Sequence, residues 1–162
     1  MATKTAFTVI GAGHGGKPMA AHLALMGFNT TLYNRTPEHV AAIKELSGID
    51  LDSGEGGLEG FGKLACVTSN IAEALEKAEM IMVVVPSSVH GDVAKVCAPH
   101  LKNGQIIVLH PGRTCGAIEF MAARAYCVSG CVRVSQSRFR STPFALHRRL
   151  ALAPSGFIIG TM

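Results

Sequence analysis

The stretch Ala6-Phe7-Thr8-Val9-Ile10-Gly11-Ala12-Gly13-His14-Gly15-Gly16-Lys17-Pro18 decides the fold. Residues 6–10 are apolar or β-branched without alternation, the pattern of a strand buried on both faces, and the run stops at glycine. Pro18 to Met26 favours helix, with proline where a first turn tolerates it and Gly27 as the stop. Between the two lies G-x-G-x-x-G at Gly11, Gly13 and Gly16. Gly11 permits a tight turn, Gly13 lets the backbone approach a diphosphate with no Cβ in the way, and Gly16 lets the helix pack close to the sheet. Unpaired N–H groups and the positive end of the helix dipole complete an anion cradle. Gly11, Gly13, His14, Gly15 and Gly16 are therefore candidate dinucleotide-binding residues. His14 either hydrogen-bonds a ligand or serves as a spacer, and the glycines alone would also suit a plain turn in another doubly wound fold.

Outward from this stretch, strands and helices alternate. Thr30–Tyr33 reads as a second strand, and Thr36-Pro37 opens a helix to about Ser47. Residues 48–63, rich in glycine and charge, read as an irregular exposed connection with at most a short extended piece. Leu64–Thr68 is a third strand, and Ser69 or Asn70 caps a helix through Ala78. Met80–Val85 is the strongest strand, stopped by Pro86. A helix follows from Val89 to His100, then a fifth strand over Gln105–Leu109, stopped by Pro111-Gly112, and a helix over Gly116–Tyr126. Five such alternations predict an α/β fold: a Rossmann-type doubly wound parallel sheet of five or six strands with helices on both faces.

The end of the second strand selects the dinucleotide. An NAD site places Asp or Glu about 20 residues beyond the glycines, to accept from the ribose 2′-OH. Here the chain reads Asn34-Arg35-Thr36, with no acid, which makes Asn34 and Arg35 candidate cofactor contacts. A carboxylate would repel a 2′-phosphate, whereas Arg35 can pair with it bidentately, so NADP is favoured, with NAD as the second choice. The other reading of Arg35 is a solvated loop charge. Val85-Pro86 ends the fourth strand beside the switch in strand order, where such sheets bind ligands. Pro86 there would set the loop under the ribose and nicotinamide, or simply terminate the strand. His110-Pro111-Gly112-Arg113 follows the fifth strand on the same edge. This makes Pro111 a candidate cofactor contact, Arg113 a candidate anion contact, and His110 either an acid–base group or a structural histidine. No Ser-His-Asp or paired-carboxylate arrangement stands out.

The chain has 162 residues, 48% hydrophobic and 16% charged, which fits one folded domain and excludes a disordered, solvating chain. The net charge is +4, Trp is absent and aromatics are 6%, so nothing suggests a base-stacking platform. No run of 18 apolar residues and no secretory leader are apparent, and five cysteines with no C-x-x-C pair read as reduced thiols in a cytoplasmic protein. Cys127 and Cys131 lack a following His pair, so no metal site is expected. Residues 120–162 hold six Arg and no Asp, Glu or Lys. That segment reads either as a basic arm for nucleic acid or as sequence foreign to the domain, from a shifted frame or truncated gene, and the second is preferred. The domain is accordingly set at 1–126, with 127–162 as an atypical Arg- and Ser-rich tail.

Gly11–Gly16, Ala20–Gly27, Val83-Val84-Val85-Pro86 and Leu109–Phe120 (LHPGRTCGAIEF) together resemble the N-terminal domain of the octopine/nopaline (opine) dehydrogenase family, over about residues 5–126. The resemblance implies a Rossmann domain followed by a helical domain that carries the catalytic His and that this chain lacks. It implies reduction, by NADH or NADPH, of the imine formed from a 2-oxo acid and an amino acid amine. Cofactor residues carried over are Gly11, Gly13, Gly16, Arg35, Val85 and Pro86. The expected partners are these small molecules, with no nucleic acid and no membrane. Ketopantoate reductases and glycerol-3-phosphate dehydrogenases share the first motif. A reductase of that type, or a non-catalytic NADP(H)-binding module, is the alternative.

Overall fold

The computed structural model describes residues 5–52, 57–112, 116–125 and 133–136. In chain order the elements are β1 (Ala6–Ile10), α1 (Gly16–Leu25), β2 (Asn29–Tyr33), α2 (Ala41–Leu46), β3 (Gly48–Leu51), β4 (Gly60–Lys63), β5 (Cys66–Thr68), α3 (Ile71–Leu75), β6 (Met80–Val84), α4 (His90–Cys97), β7 (Ile106–His110), α5 (Gly116–Ala125) and β8 (Arg133–Gln136). Six strands form one sheet in the order β5-β2-β1-β6-β7-β8, every neighbouring pair parallel. The doubly wound sheet read from the sequence is thus present. The chain winds outward from β1 through β2 to β5, then returns to lay β6 on the other side of β1. The crevice above the carboxyl ends of β1 and β6 is the switch point of the topology.

Alternate residues of each central strand feed opposite faces, which is why those strands are apolar throughout. Phe7, Val9, Met80, Met82 and Val108 pack with Leu23 of α1 on one face. Ile10, Ile81, Val83, Ile107 and Leu109 pack with Leu75 of α3, Cys97 of α4 and Phe120 of α5 on the other. Thr8 is a polar exception in β1. Its hydroxyl is buried and donates to the Ala74 carbonyl at 2.7 Å, so the strand tethers the end of α3.

Local expectations needed several corrections. Residues 48–63 are not simply irregular: β3 and β4 pair antiparallel, Gly48 opposite Lys63 and Leu51 opposite Gly60. The glycines that suggested a loop serve close packing instead. A Cβ on Gly62 would lie 2.6 Å from the Ala21 carbonyl oxygen, and one on Gly48 would lie 2.5 Å from the Phe61 ring. The helix expected over 36–47 is a 3-10 turn at Pro37–His39 followed by α2, because Val40 breaks helical geometry at φ −121°. The helix expected from Val89 to His100 is α4 flanked by two 3-10 turns. Asn70, rather than Ser69, caps α3 by accepting from the Ala72 N–H at 3.0 Å. Gly27, at φ 86°, ends α1 as expected. β8 lies in the Arg-rich segment and pairs with β7 from Ile106–Arg133 to Leu109–Gln136. Arg113, Cys115, Cys127, Cys131 and residues 137–162 lie outside the described residues.

Gln105 closes the far end of the sheet. Its side-chain amide donates to the Leu75 and Ala78 carbonyls at 3.1 and 2.8 Å, and its oxygen accepts from the Lys102 N–H at 2.7 Å, all at 4% exposure. Gln105→Ala removes two buried hydrogen bonds to carbonyls and one part-buried bond from Lys102 N–H, and should lower stability by roughly 1–3 kcal/mol, seen as a lower urea midpoint with unchanged slope.

Candidate functional site

The glycine loop joins β1 to α1 across the switch point, and its shape depends on missing Cβ atoms. Gly11 adopts φ 108°, and a Cβ there would sit 2.5 Å from the Val84 carbonyl oxygen and 2.8 Å from Val85 Cγ1. A Cβ on Gly16 would sit 1.7 Å from the Gly11 carbonyl oxygen. These two glycines bring helix start, strand end and β6 edge into direct contact. Gly13 differs: a Cβ there would meet nothing within 4 Å. It is bare on a side that the protein leaves open, which is the geometry a closely approaching ligand needs. Gly13 and Gly15 carbonyls accept from the Lys17 and Met19 N–H groups, each at 3.2 Å, and no side chain caps the start of α1. His14 and Gly15 are exposed on the same turn.

The end of β2 is bolted to this loop. The Gly11 N–H donates to the Tyr33 carbonyl at 2.8 Å, and the Ala12 N–H donates to Asn34 Oδ1 at 3.2 Å. Asn34 in turn donates from Nδ2 to the Thr36 carbonyl at 3.0 Å. Its side chain is engaged in holding the two loops together. Arg35, between these anchored residues, is exposed. The Tyr33 phenol is pushed up mainly by burial, with the Cys97 thiol adding and the Arg35 guanidinium opposing.

Val85 is half-buried against Gly11, and Pro86 is exposed at the head of the 3-10 turn Ser87–Val89. Pro111 is exposed directly after β7, on the same carboxyl edge. His110 is only 3% exposed, and burial pulls its imidazole down to about 4. This burial accords with the structural reading of His110. His90, at the start of α4, is also fully buried.

A cavity of about 510 Å³ opens beside the loop, between it and the β3–β4 hairpin. Ala12, Gly13 and His14 form one wall, and Ile49, Asp50 and Leu51 of β3 face them. Lys17 and His39 also line it. Apart from the glycine-loop residues, these residues stand in no motif of the sequence. The hairpin was unrecognised there, although a lysine immediately after the third glycine is visible as a cation at a helix start. Among the described residues no cluster of three or more His, Cys, Asp or Glu could hold a metal, and no helix is long and apolar enough to cross a membrane.

Residues 6–125 match the family described as the NAD binding domain of 6-phosphogluconate dehydrogenase. The chain belongs to this family. It is 34% identical over 114 residues to an opine dehydrogenase of Arthrobacter sp. (strain 1C), a match covering 70% of this chain and 31% of that protein. It is also 34% identical over 108 residues to a glycerol-3-phosphate dehydrogenase [NAD(P)+] of Photorhabdus laumondii subsp. laumondii, covering 67% of this chain and 31% of the relative. Among solved structures, an octopine dehydrogenase in complex with NADH and agmatine superimposes with a TM-score of 0.64 at 16% identity, over 75% of this chain and 32% of that one, a likeness of fold. The resemblance to opine dehydrogenases seen in the sequence is upheld. The chain spans about a third of the length of the curated relatives it matches. It is a nicotinamide dinucleotide-binding domain of dehydrogenase type.

His110 gives this domain a pH signature. The unfolded imidazole takes up its proton near pH 6.5, whereas the folded one resists until about 4. Stability is therefore full above pH 6.5 and falls as pH drops from 6.5 to 4, by on the order of 3 kcal/mol. Urea unfolding of His110→Gln across this range should show a shallower acid loss than the parent, and parallel curves would show that His110 is not the source.

Proposed function

We propose that this chain is the coenzyme-binding part of an NADP-linked oxidoreductase of the opine dehydrogenase type. The observation that carries the NADP assignment is the end of β2. The position where an NAD site offers a carboxylate is Asn34, spent on the Ala12 N–H and the Thr36 carbonyl, and the next residue is an exposed arginine. The fit of a dinucleotide rests on the bare, open flank of Gly13 and on the α1 start, which no side chain caps.

In this reading the loop from Gly11 to Gly16 holds the diphosphate through backbone N–H groups, with His14 at its rim. Arg35 pairs with the 2′-phosphate, and Asn34 fixes the distance between the two anion contacts. Val85 and Pro86 form the floor under the nicotinamide half, and Pro111 borders it from β7. When bound, the coenzyme supplies hydride to an electrophilic carbon, and the protein contributes orientation and electrostatics. The substrate class is the imine of a 2-oxo acid and an amino acid, following the opine dehydrogenase likeness and a cytoplasmic setting. The likeness to glycerol-3-phosphate dehydrogenase supports carbonyl reduction as a second reading. No catalytic residue is assigned among the described residues.

Removing one charge-assisted pair costs about 1.5–3 kcal/mol, or roughly 10- to 100-fold in Kd. Arg35→Asp should weaken NADPH by that factor and leave NADH equal or better, measured by coenzyme fluorescence. Unchanged NADPH affinity would remove Arg35 from the phosphate. Saturable NADPH binding without any oxidation on adding 2-oxo acid and amine would favour a binding module over an enzyme.

A further inference from the structure

The β3–β4 hairpin is a two-stranded sheet of its own, and among the described residues no third strand joins it. Gly62 seats β4 against the Ala21 backbone of α1 with no room for a Cβ, so the hairpin is fixed on the domain. Just beyond β4, the Leu64 N–H donates to the Ser47 carbonyl at 3.0 Å, which makes that facing pair a hydrogen-bonded one. Facing pairs of an antiparallel ladder alternate between bonded and non-bonded. The register sets Gly48 opposite Lys63 and Asp50 opposite Phe61, so these are the non-bonded pairs. Phe61 and Lys63 therefore turn their backbone N–H and C=O groups away from β3, toward the open edge of β4. Such an edge is a template for another strand.

Three of the seven large apolar side chains exposed among the described residues, Leu46, Leu58 and Phe61, lie at this corner, which marks it as an interaction surface. Along the edge itself stand exposed Glu59, half-exposed Phe61 and exposed Lys63, two residues apart. Neither charge is in an ion pair among the described residues, where the pair seen is Lys95–Asp92. Charges on an edge strand ordinarily discourage pairing with a foreign strand. Here their order suits the same strand reversed. We propose that β4 pairs antiparallel with β4 of a second copy of this chain, about a two-fold axis at Phe61, giving one four-stranded sheet β3-β4-β4-β3. Phe61 then faces its own counterpart, and Glu59 of each copy faces Lys63 of the other, twice by symmetry. The outward backbone groups of Phe61 and Lys63 fall on the bonded positions of the new ladder. In-register parallel pairing would instead set Glu59 against Glu59 and Lys63 against Lys63. A slip of two residues would set Phe61 against a charge. No residue of β4 lines the cavity beside the glycine loop, so this surface stands apart from the coenzyme reading.

Sedimentation velocity of the full chain from about 1 to 500 μM should show a concentration-dependent dimer, since two short edges bury less than a standard interface. Glu59→Lys and Lys63→Glu each create two like-charge oppositions and should each raise the dimer Kd roughly 10-fold, whereas the two changes together should restore the parent value. Phe61→Lys sets like charges at the axis and should leave the chain monomeric across the range. Circular dichroism matching the parent checks that each variant is folded. A parent that stays monomeric throughout overturns the proposal. So does a dimer whose Kd is unmoved by a folded Phe61→Lys chain, or one that the folded double variant fails to restore.

Discussion

The fold and the site depend on one close approach. The start of α1 lies so near the end of β1 that a single added carbon on Gly16 would overlap the Gly11 carbonyl oxygen. Helix and strand can meet in this way only if the residue at the contact has no side chain. Gly11 repeats the condition toward β6, where the Val84 backbone occupies the space of its Cβ. Interiors are close-packed and resist even one extra methylene, so these positions tolerate no other residue cheaply. The result is a helix start at the switch point of the sheet, capped by no side chain.

The surrounding structure holds that arrangement in register. Tyr33 and Asn34 tie the end of β2 to Gly11 and Ala12, so Arg35 stands at a fixed separation from the cradle. Val85 packs under the loop from β6. The two apolar clusters clamp the strands from both faces, and Thr8 and Gln105 settle the buried carbonyls at the end of α3. Groups contributed by separate elements to this corner are thereby held in place by the fold itself.

Much of this was legible in the sequence because the signals were local. Buried parallel strands announce themselves as short apolar runs, as at Met80–Val84, and the glycine spacing names its own geometry. Arg35 in place of an acid is also a one-position signal. What could not be read was tertiary. The hairpin of β3 and β4 is built on glycines whose purpose, contact with Ala21 and Phe61, shows only when α1 is packed beside it. For the same reason Lys17, His39 and Asp50, drawn from three separate elements, could not be seen to share a cavity. Nor could the sequence show that Asn34 ties the ends of β1 and β2 together. The near-complete burial of His110 was likewise invisible in the sequence.

Gly13 offers the most direct test of the central claim, since its missing side chain serves no contact within the protein. The Cβ of a valine there meets no atom within 4 Å, so the substitution should leave the thermal midpoint within about 2 °C of the parent, yet it should abolish NADPH and NADH binding by calorimetric titration. Undiminished coenzyme binding by a folded Gly13→Val chain would contradict the account.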